Sequence, residues 1–326
     1  MKAIQLDAPG PPDALRLREL PLPEARPGWV RIRVEAFALN RSDLHLRLGY
    51  AGNATFPRVP GIERAGVVDV APGTQFRPGE KVVAMMGGMG RVFDGGYAEY
   101  ASVPAGQVIR IETDLPWEIV GAIPETLQTA WGSLTVGLDL ERGQSLLIRG
   151  GTSSVGLAAA FLAHDIGATV LATSRKRERL AQLAEREIEH PILDGGEIAP
   201  LVREIVPGGV HATRELVGTP TLQDSLRATR VYGTVCMTGM VSNQWTIPDF
   251  YPIGYIPNGV RLTGYGGEAG DLPQAVLQRY LDATAAGRVA VPIHRVYELE
   301  QVQQAHAAME GNEAFGKLVV RVRHPG

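Results

Sequence analysis

A glycine- and serine-rich turn in the middle of the chain has the composition of a nucleotide-binding loop. The stretch LLIRGGTSSVG, Leu146 to Gly156, has the pattern of a strand, a tight turn and the start of a helix. Amide N–H groups at such a helix start bind the pyrophosphate of a dinucleotide. Gly150 and Gly156 hold the outer glycine positions, and Ser153 and Ser154 between them offer hydroxyls that can bond phosphate or cap the helix. This context predicts a dinucleotide site, with an ordinary strand-to-helix turn as the alternative.

The end of the next strand indicates which nucleotide such a site prefers. An Asp or Glu there would accept hydrogen bonds from the ribose 2′-hydroxyl of NAD. In the run TVLATSRKRERL, Ser174 stands in that place, and Arg175, Lys176 and Arg177 follow it. Cations here stabilise the 2′-phosphate of NADP, and they favour a nearby anion because they oppose the dipole of the helix they begin. We therefore expect NADPH as the cofactor, with a solvated helix start as the alternative.

The elements that must position these residues fall into two regions of different pattern. Before about Pro124, short β-rich runs such as WVRIRVEAFAL and EKVVAMM alternate with Gly and Pro turns, which predicts a compact, mostly antiparallel β domain. After it, apolar strands alternate with helices, which predicts a doubly wound parallel sheet with helices on both faces. The fold class is therefore α/β, with a β domain over 1–123 and 268–326 and a nucleotide-binding domain over 124–267.

The composition of the chain indicates which binding partners and which cellular compartment to expect. The chain has 326 residues and a formal net charge of -3, which favours neither nucleic acid nor an anionic membrane as a partner. Its one cysteine, Cys236, excludes an internal disulfide and a multi-cysteine zinc site, and we interpret it as an inert core thiol. The N-terminal residues have no apolar signal core, and no run of about 18 apolar residues occurs. We expect a cytoplasmic protein without a membrane or nucleic-acid partner.

Seven stretches together resemble the medium-chain dehydrogenase/reductase superfamily, in particular its zinc-independent quinone-oxidoreductase branch. The resemblance runs from Met1 to about Val322 and implies a GroES-like β domain, built from both chain ends, around a Rossmann domain, with the active site in the cleft between them. The stretches are ALNRSDLHLRLG, FPRVPGIERAGVV, FRPGEKVVAM, DGGYAEY, LQTAWGSL, GGTSSVG and GKLVVRV.

The resemblance also indicates that no metal is held. Zinc alcohol dehydrogenases of the superfamily carry a Cys ligand where this chain has Asn40, and a His-Glu pair where it has Ile62 and Glu63. Isoleucine cannot ligate a metal, an amide is a poor zinc ligand, and His45 has no Cys or second His near it in sequence. Without a Lewis acid an alkoxide loses its stabilisation, so a quinone or a carbonyl-activated alkene is the expected acceptor, because it delocalises the negative charge.

The resemblance assigns residues to catalysis. It implies that Asn40 lies at the nicotinamide side of the cleft, where its amide orients the ring or the substrate; a turn-stabilising Asn is the alternative. Tyr50 is the candidate proton donor, one residue early for the usual G-x-Y, so lining of the pocket remains open for it. His45 and Arg47 are alternates on the same helix, or are simply solvated. Asp43 is interpreted as a helix cap.

Further residues are assigned to the cofactor and to the acceptor. Lys317 matches a lysine near the cofactor phosphates, and Glu63 a residue of the cleft wall. The expected cofactor-binding residues are Asn40, Thr129, Gly150, Thr152, Ser153, Ser154, Val155, Ser174, Arg175, Lys176, Val217, Gly239, Met240 and Lys317. The expected apolar lining for a small planar acceptor is Tyr50, Met86, Met89 and Phe93, with core packing as the alternative for the methionines.

These assignments lead to an NADPH-dependent quinone or enone reductase. Two alternatives stay open: a biosynthetic enoyl reductase that acts on a carrier-bound or tailored intermediate, and a non-catalytic NADPH-binding protein. The resemblance implies a homodimer joined through the sheet-edge strand VRLTGYGG.

Overall fold

The computed structural model describes residues 1–52, 54–186, 188–311 and 316–324. The chain divides into two compact units. Unit 1 comprises Met1–Gln128 and Glu268–Gly326, and unit 2 comprises Thr129–Gly267. Both ends of the chain therefore contribute to one unit.

The strands and helices alternate along the chain, with the helices concentrated after residue 116. In chain order the strands are β1 (Lys2–Leu6), β2 (Leu15–Glu19), β3 (Trp29–Ala38), β4 (Glu63–Val70), β5 (Lys81–Met85), β6 (Tyr100–Pro104), β7 (Val108–Arg110), β8 (Ser145–Arg149), β9 (Thr169–Ser174), β10 (His190–Leu193), β11 (Val210–Glu215), β12 (Thr229–Met237), β13 (Arg261–Gly264), β14 (Ile293–Glu298) and β15 (Lys317–Arg321). The helices are α1 (Arg41–Arg47), α2 (Trp117–Val120), α3 (Pro124–Gly132), α4 (Ser154–Ile166), α5 (Leu180–Ala184), α6 (Ala199–Ile205), α7 (Thr219–Ala228), α8 (Pro252–Tyr255), α9 (Gln274–Ala285) and α10 (Val302–Glu310).

Unit 1 is built on a seven-stranded, mostly antiparallel sheet in the order β14-β15-β3-β4-β5-β7, with β6 also paired to β3. The long strand β3 alternates buried and half-buried residues, as expected where one face packs on a core. Strand β15 is antiparallel to β3, with Val319 opposite Ala38. The C-terminal strand thereby brings Lys317 beside the end of β3, where Asn40 follows.

Unit 2 is a six-stranded parallel sheet in the order β10-β9-β8-β11-β12-β13. The order reverses around β8, which is the switch point where doubly wound sheets bind ligands at the carboxyl ends of their strands. This topology confirms the expected α/β fold class. Strand β13, which lies within the stretch VRLTGYGG, is at one edge of the sheet.

Helix α4 shows why this sequence folds as it does after β8. Its small residues, among them Ala158, Ala159 and Ala163, are buried and let the helix pack closely against the sheet. The Ser153 hydroxyl caps its first turn by accepting from the Gly156 amide, and Gly167 ends it in the left-handed conformation at φ 92°. The helix start is thus fixed by local chemistry at the turn.

Two further features bear on the sequence-based expectations. Cys236 is a free thiol in the core of unit 2, and burial raises its pKa, as expected for an inert thiol. Within the described ranges, no helix combines the length and the apolar character needed to cross a membrane.

Candidate functional site

The turn between β8 and α4 has the geometry of a dinucleotide cradle. Gly150 adopts φ 90°, a conformation that favours glycine, and its amide donates to the Thr173 hydroxyl at 3.0 Å. A Cβ on Gly156 would lie 2.7 Å from the Gly150 carbonyl oxygen, so no side chain fits there. The Ser153 hydroxyl also donates to the Gly150 carbonyl at 2.9 Å and so closes the turn on itself. Serine therefore replaces glycine here as part of the cap.

The cradle fits a dinucleotide. The first N–H groups of a helix have no partner within the helix, and the Ser153 hydroxyl takes only that of Gly156. The turn residue Thr152 and the first helical residues Ser154 and Val155 are half-buried, and their amides are the ones that a pyrophosphate would meet.

Buried Arg214 connects two of the expected cofactor residues. It lies on β11, and its guanidinium donates to the carbonyl oxygens of Val155 at 2.9 Å and of Thr129 at 3.1 Å. The structure therefore brings Thr129 to the nucleotide turn. Sequence reasoning missed Arg214, because an arginine inside a strand gives no signal of where its side chain ends.

Buried Glu215 organises the loop after β11. Its Oε1 accepts from the amides of Val217 at 2.7 Å and Gly218 at 3.0 Å, and its carbonyl accepts from the Gly239 amide at 3.0 Å. Burial raises the pKa of Glu215. Met240 follows Gly239, and a Cβ on Gly150 would lie 3.5 Å from a Val217 methyl carbon. The expected residues Val217, Gly239 and Met240 thus gather at the strand ends beside the turn.

An ion-pair network stabilises the carboxyl end of β8, at the same edge of the sheet. Arg149, the last residue of β8, is fully buried and bonds both carboxylate oxygens of Asp194, at 2.6 Å and 2.9 Å. A further nitrogen donates to Asp224 at 2.6 Å, and Asp224 also accepts from the amides of Ile198 and Ala199 at the start of α6. This network fixes the strand end immediately before Gly150.

The end of β9 separates Ser174 from the cations that follow it. Ser174 is 4% exposed, and its hydroxyl accepts from the Lys176 amide at 3.1 Å and points back to the Lys176 carbonyl at 3.2 Å. That hydroxyl shapes the turn and has little capacity left for a ligand. The side chains of Arg175 and Lys176 are exposed, so the positive charge at this strand end is accessible.

In unit 1, Asn40 caps the start of α1 and is itself buried. Its amide N–H donates to the Asp43 carboxylate at 3.0 Å, as part of a capping box, and its side chain is 5% exposed. This contact agrees with the interpretation of Asp43 as a cap. Because Asp43 is fully buried, its pKa rises to about 7.

The Asn40 carboxamide is held at both ends by charged groups. Its nitrogen donates to Glu63 Oε1 at 2.8 Å, and its oxygen accepts from the Lys317 ammonium at 2.5 Å. The ammonium also contacts Glu63 Oε1 at 3.3 Å and Glu125 Oε2 at 3.1 Å. Burial opposes its charge, but the two carboxylates raise the pKa of Lys317, so it stays protonated. We call Asn40, Glu63, Glu125 and Lys317 the Asn40 cluster.

This arrangement gives Lys317 a different set of contacts from the one expected. Its ammonium has three protons and three acceptors within unit 1, and its residue is 7% exposed. It acts as the counterion of two carboxylates, which leaves no proton for a phosphate. Sequence reasoning found Lys317 and Glu63 separately but missed Glu125.

The residues at the former zinc positions do not fit a zinc ion. Ile62 is buried and offers no ligand atom, and the oxygen atoms of Asn40 and Glu63 already accept from the Lys317 ammonium. A metal cation at this point would meet that positive charge. In the part of the chain that the structure describes, no group of three or more His, Cys, Asp and Glu side chains is arranged to hold a metal.

Tyr50 and His45 lie together at the end of α1. The Tyr50 amide donates to the His45 carbonyl at 2.8 Å, and the two ring centroids are 6.4 Å apart. Burial, followed by the nearby charges of Arg41 and Arg91, lowers the pKa of His45 to about 4. His45 is therefore neutral at pH 7, which does not suit the alternate role of proton donor. Tyr50 is 68% exposed.

The four residues expected to line an apolar acceptor site do not form a single surface. Met89 is 1% exposed and packs in a core with Val30 and Ile32, so it is core filler and not lining. Phe93 packs edge-on against Trp29 at 5.4 Å and lines a groove of about 590 Å³ whose lining includes none of the other three residues. Met86 is half-buried, and its amide donates to the Ile62 carbonyl at 2.8 Å. A glycine-rich loop does not reveal from sequence which of its side chains turn inward.

Arg47 also has a structural role and does not belong to the site. It is fully buried, donates to the Gly10 carbonyl at 2.7 Å and pairs with Glu310 at 2.5 Å. It connects α1 with α10 and cannot simultaneously act on a substrate.

Comparison with known proteins assigns the family. Residues 26–113 match the model of the alcohol dehydrogenase GroES-like domain, and residues 188–320 match that of the zinc-binding dehydrogenase. The chain belongs to the medium-chain dehydrogenase/reductase superfamily. Like other members of this superfamily, whose cofactor is a nicotinamide dinucleotide, it is an oxidoreductase.

Individual relatives within the superfamily cover nearly the whole chain. A probable quinone oxidoreductase of Schizosaccharomyces pombe is 27% identical, over 97% of this chain and 96% of its own. A 2-haloacrylate reductase of a Burkholderia species is 28% identical, over 95% and 96%. Among solved structures, a mycobacterial protein complexed with NADPH has a TM-score of 0.84 at 25% identity, over 98% of this chain and 100% of its own.

Proposed function

We propose that the protein is a reductase that uses NADPH, without a metal, to reduce a quinone or a carbonyl-activated alkene. The cofactor supplies a hydride when it is bound. The observation that carries the proposal is the Asn40 cluster, where a protonated lysine engages the oxygen atoms at the former zinc positions. A reaction at this point lacks a Lewis acid, so it suits an acceptor that spreads the new charge over an enolate or a hydroquinone anion.

The residues of the cluster have separate roles in this proposal. Glu63 and Lys317 fix which end of the Asn40 carboxamide is nitrogen and which is oxygen. A carboxamide in one orientation can place a nicotinamide ring or an acceptor oxygen reproducibly, and such placement supports catalysis. Glu125 is a further acceptor for the lysine ammonium, at 3.1 Å.

The end of β9 supports the choice of NADPH. Ser174 replaces the acid that would favour NAD, and the exposed cations of Arg175 and Lys176 are accessible to a 2′-phosphate. The NADPH complex of the mycobacterial structure points the same way. The activities for which the two relatives are named, quinone oxidoreductase and 2-haloacrylate reductase, support an activated double bond or quinone as the acceptor.

Tyr50 remains the proposed proton donor for enones. An enolate needs a proton, and a positioned phenol contributes about a hundredfold in rate. A hydroquinone anion needs this help less. We expect Tyr50→Phe to slow enone reduction strongly and to leave naphthoquinone reduction within a few fold of the wild-type rate. If the variant reduces enones at the wild-type rate, Tyr50 is only an exposed surface residue.

One panel of assays tests the proposed function. NADPH oxidation is followed with a naphthoquinone, an enone and an enoyl thioester. Elemental analysis and a chelator test whether the protein contains and needs a metal. We expect turnover of the first two, full activity in chelator, and NADPH binding at least about tenfold tighter than NADH, or about 1.4 kcal/mol. Turnover of the thioester alone would favour a biosynthetic enoyl reductase. Tight NADPH binding without any turnover would favour a non-catalytic NADPH-binding protein.

The edge strand β13 supports a homodimer as part of the proposal. An edge strand presents unpaired backbone N–H and C=O groups that pair readily with another strand. A second copy can satisfy them by the same contact in both directions. Sedimentation of the purified protein should give a dimer, and a proline at Leu262 should shift it toward monomer if β13 is the contact.

A further inference from the structure

The first two amides of the nucleotide turn are both held by one residue of the neighbouring strand. The Gly150 amide donates to the Thr173 hydroxyl at 3.0 Å, and the Gly151 amide donates to the Thr173 carbonyl at 3.0 Å. Thr173 is the penultimate residue of β9 and is 1% exposed. Both amides are therefore engaged within the fold, and a pyrophosphate would meet amides that follow them in the chain.

A carboxylate behind Thr173 fixes the direction of the contact with Gly150. The Thr173 hydroxyl donates to Asp194 Oδ2 at 3.3 Å. A carboxylate can only accept, so the single hydroxyl proton of Thr173 is committed to Asp194. The hydroxyl oxygen is thereby left to accept from the Gly150 amide, and the hydroxyl does not rotate its proton toward that amide.

Asp194 is in turn held in one position by a buried arginine. The Arg149 guanidinium donates to Asp194 Oδ1 at 2.9 Å and to Oδ2 at 2.6 Å, and Arg149 is fully buried. This planar fork matches the two carboxylate oxygens and so fixes the orientation of the carboxylate. The Asp194 amide also donates to the Ser174 carbonyl at 2.8 Å, which joins Asp194 to the end of β9 a second time. The series from Arg149 through Asp194 and Thr173 to Gly150 thus has one hydrogen-bonding arrangement.

Gly150 is the position at which the turn can most readily change shape. Its φ of 90° lies in the left-handed region, but glycine populates negative φ about as readily. Which conformation Gly150 adopts therefore depends on the contacts that it makes, and the Thr173 hydroxyl accepts from its amide. A turn that is already fixed before the cofactor arrives loses less conformational freedom on binding, which increases affinity.

We propose that Thr173 is a positioning residue of the cofactor site, whose hydroxyl, oriented by Asp194, holds the Gly150 amide and so presets the following amides for the pyrophosphate. This role rests on the proposed function, because it concerns how the dinucleotide of that function is bound. It differs from the role of the cations after β9, which act on the 2′-phosphate that only NADPH carries. Because NADPH and NADH share the pyrophosphate, Thr173 should support the affinity for both equally.

Removal of one hydroxyl tests this role. Thr173→Val keeps the shape of the side chain but loses the acceptor for the Gly150 amide. The variant is titrated by calorimetry with NADPH, NADH and ADP-ribose, which contains the pyrophosphate but no nicotinamide. We expect the three dissociation constants to rise by the same factor, roughly tenfold, which is within the range for loss of one hydrogen bond. In naphthoquinone reduction, KM for NADPH should rise while kcat stays unchanged. Thr173→Ser, which keeps the hydroxyl, should restore the wild-type affinities.

Thr213→Val is the matched control that separates positioning from stability. Thr213 is also buried, on β11, and its hydroxyl contacts that of Thr229 at 2.7 Å. Both valine variants lose one buried hydrogen bond, so urea denaturation should show similar losses in the free energy of unfolding. Only Thr173→Val should bind the three ligands more weakly. Hydrogen exchange measured by mass spectrometry gives a readout without ligand, and we expect faster exchange in the peptide that contains Gly150 in Thr173→Val but not in Thr213→Val.

Each contrary result has one meaning. Unchanged affinities in Thr173→Val overturn the positioning role, as does a Thr173→Ser variant that binds as weakly as Thr173→Val, or an equal loss of affinity in Thr213→Val. A loss for NADPH alone also overturns it, because the pyrophosphate would then not be the group concerned. Ligand binding that Thr173→Val weakens, without reduction of any acceptor by the wild type, would retain the positioning role and reject the proposed reductase. Quinone reduction by Thr173→Val with the wild-type KM for NADPH would retain the reductase and reject the positioning role.

Discussion

The charges of the Asn40 cluster and the charges after β9 differ in how they are satisfied. Lys317 and Glu63 are buried and Glu125 is half-buried, and the one ammonium bonds both carboxylates within unit 1. Arg175 and Lys176 in unit 2 are exposed and keep their charge available. A buried ion pair is costly to break and fixes geometry, whereas exposed cations cost the fold little. In the proposed function, orientation of the reactants therefore depends on a closed charge network and nucleotide discrimination on an open one.

The largest expected effect comes from breaking the closed network. Lys317→Met leaves the buried Glu63 without its counterion, and removing one partner of a buried pair costs about 3–5 kcal/mol. We expect a loss of that size in the free energy of unfolding, measured by urea denaturation. The control is Lys2→Met, whose partner Glu300 is half exposed at 50%, and which should cost no more than about 1 kcal/mol. Similar losses in both variants would refute the contrast.

The next effect is on catalysis. Asn40→Ala removes the carboxamide that Glu63 and Lys317 orient, so placement of the reactants should suffer. We expect kcat to fall about a hundredfold for both quinone and enone, which is the scale of a misplaced reactant. Gln107→Ala, which removes another amide of unit 1 that bonds the Gly87 carbonyl at 2.9 Å, serves as control. If Asn40→Ala retains full activity, the cluster is only structural.

The open charges should give a smaller and more selective effect. Arg175→Ala removes one exposed cation at the end of β9, and we expect NADPH affinity to fall about tenfold while NADH affinity is unchanged. Fluorescence titration of both cofactors measures this. Arg227→Ala, at an exposed position in α7, is the charge-matched control. An equal loss for both cofactors would mean that the cation does not read the 2′-phosphate.

The smallest effect concerns pH. His306 is buried against the Tyr97 hydroxyl at 3.2 Å, and burial, then Arg47, lowers its pKa to about 3. Between pH 6.5 and 3 the unfolded chain binds a proton that the folded one does not, so stability falls as the pH drops. From pH 6.5 to 5.5 this should cost about 1 kcal/mol, and His306→Gln should lose correspondingly less.

Denaturation of both proteins at the two pH values measures that difference. Exposed His294→Gln is the matched control and should follow the wild type. If His306→Gln shows the same pH dependence as the wild type, the acid sensitivity of unit 1 arises elsewhere.

The sequence was sufficient where the chemistry is local. Gly150, Ser153 and Gly156 form their turn through contacts within seven residues, so the pattern of the stretch predicted the turn and the helix after it. The alternation of strands and helices likewise predicted the parallel sheet, because the spacing of apolar residues along each segment shows whether it is a strand or a helix and which face is buried.

The sequence was insufficient where partners are distant. Lys317 and Asn40 are in contact although they are 277 residues apart in sequence, and nothing in either segment indicates the other as its partner. Glu125 was missed for the same reason. The role of Met89, as pocket lining or core packing, was uncertain because its glycine-rich loop has no regular spacing of apolar residues. Only the folded chain shows that its side chain packs in the core.

The late position of Lys317 has a consequence during synthesis. Glu63 leaves the ribosome 254 residues before its counterion. At about 5–20 residues per second, that interval lasts roughly 13 to 50 seconds. During this time Glu63 has no counterion, so burial of the nascent strand β4 would leave its carboxylate unpaired at a cost, while all of unit 2 emerges before β15 is made. The parallel sheet can therefore mature co-translationally, whereas the other unit completes its buried charge network only after β15 is made.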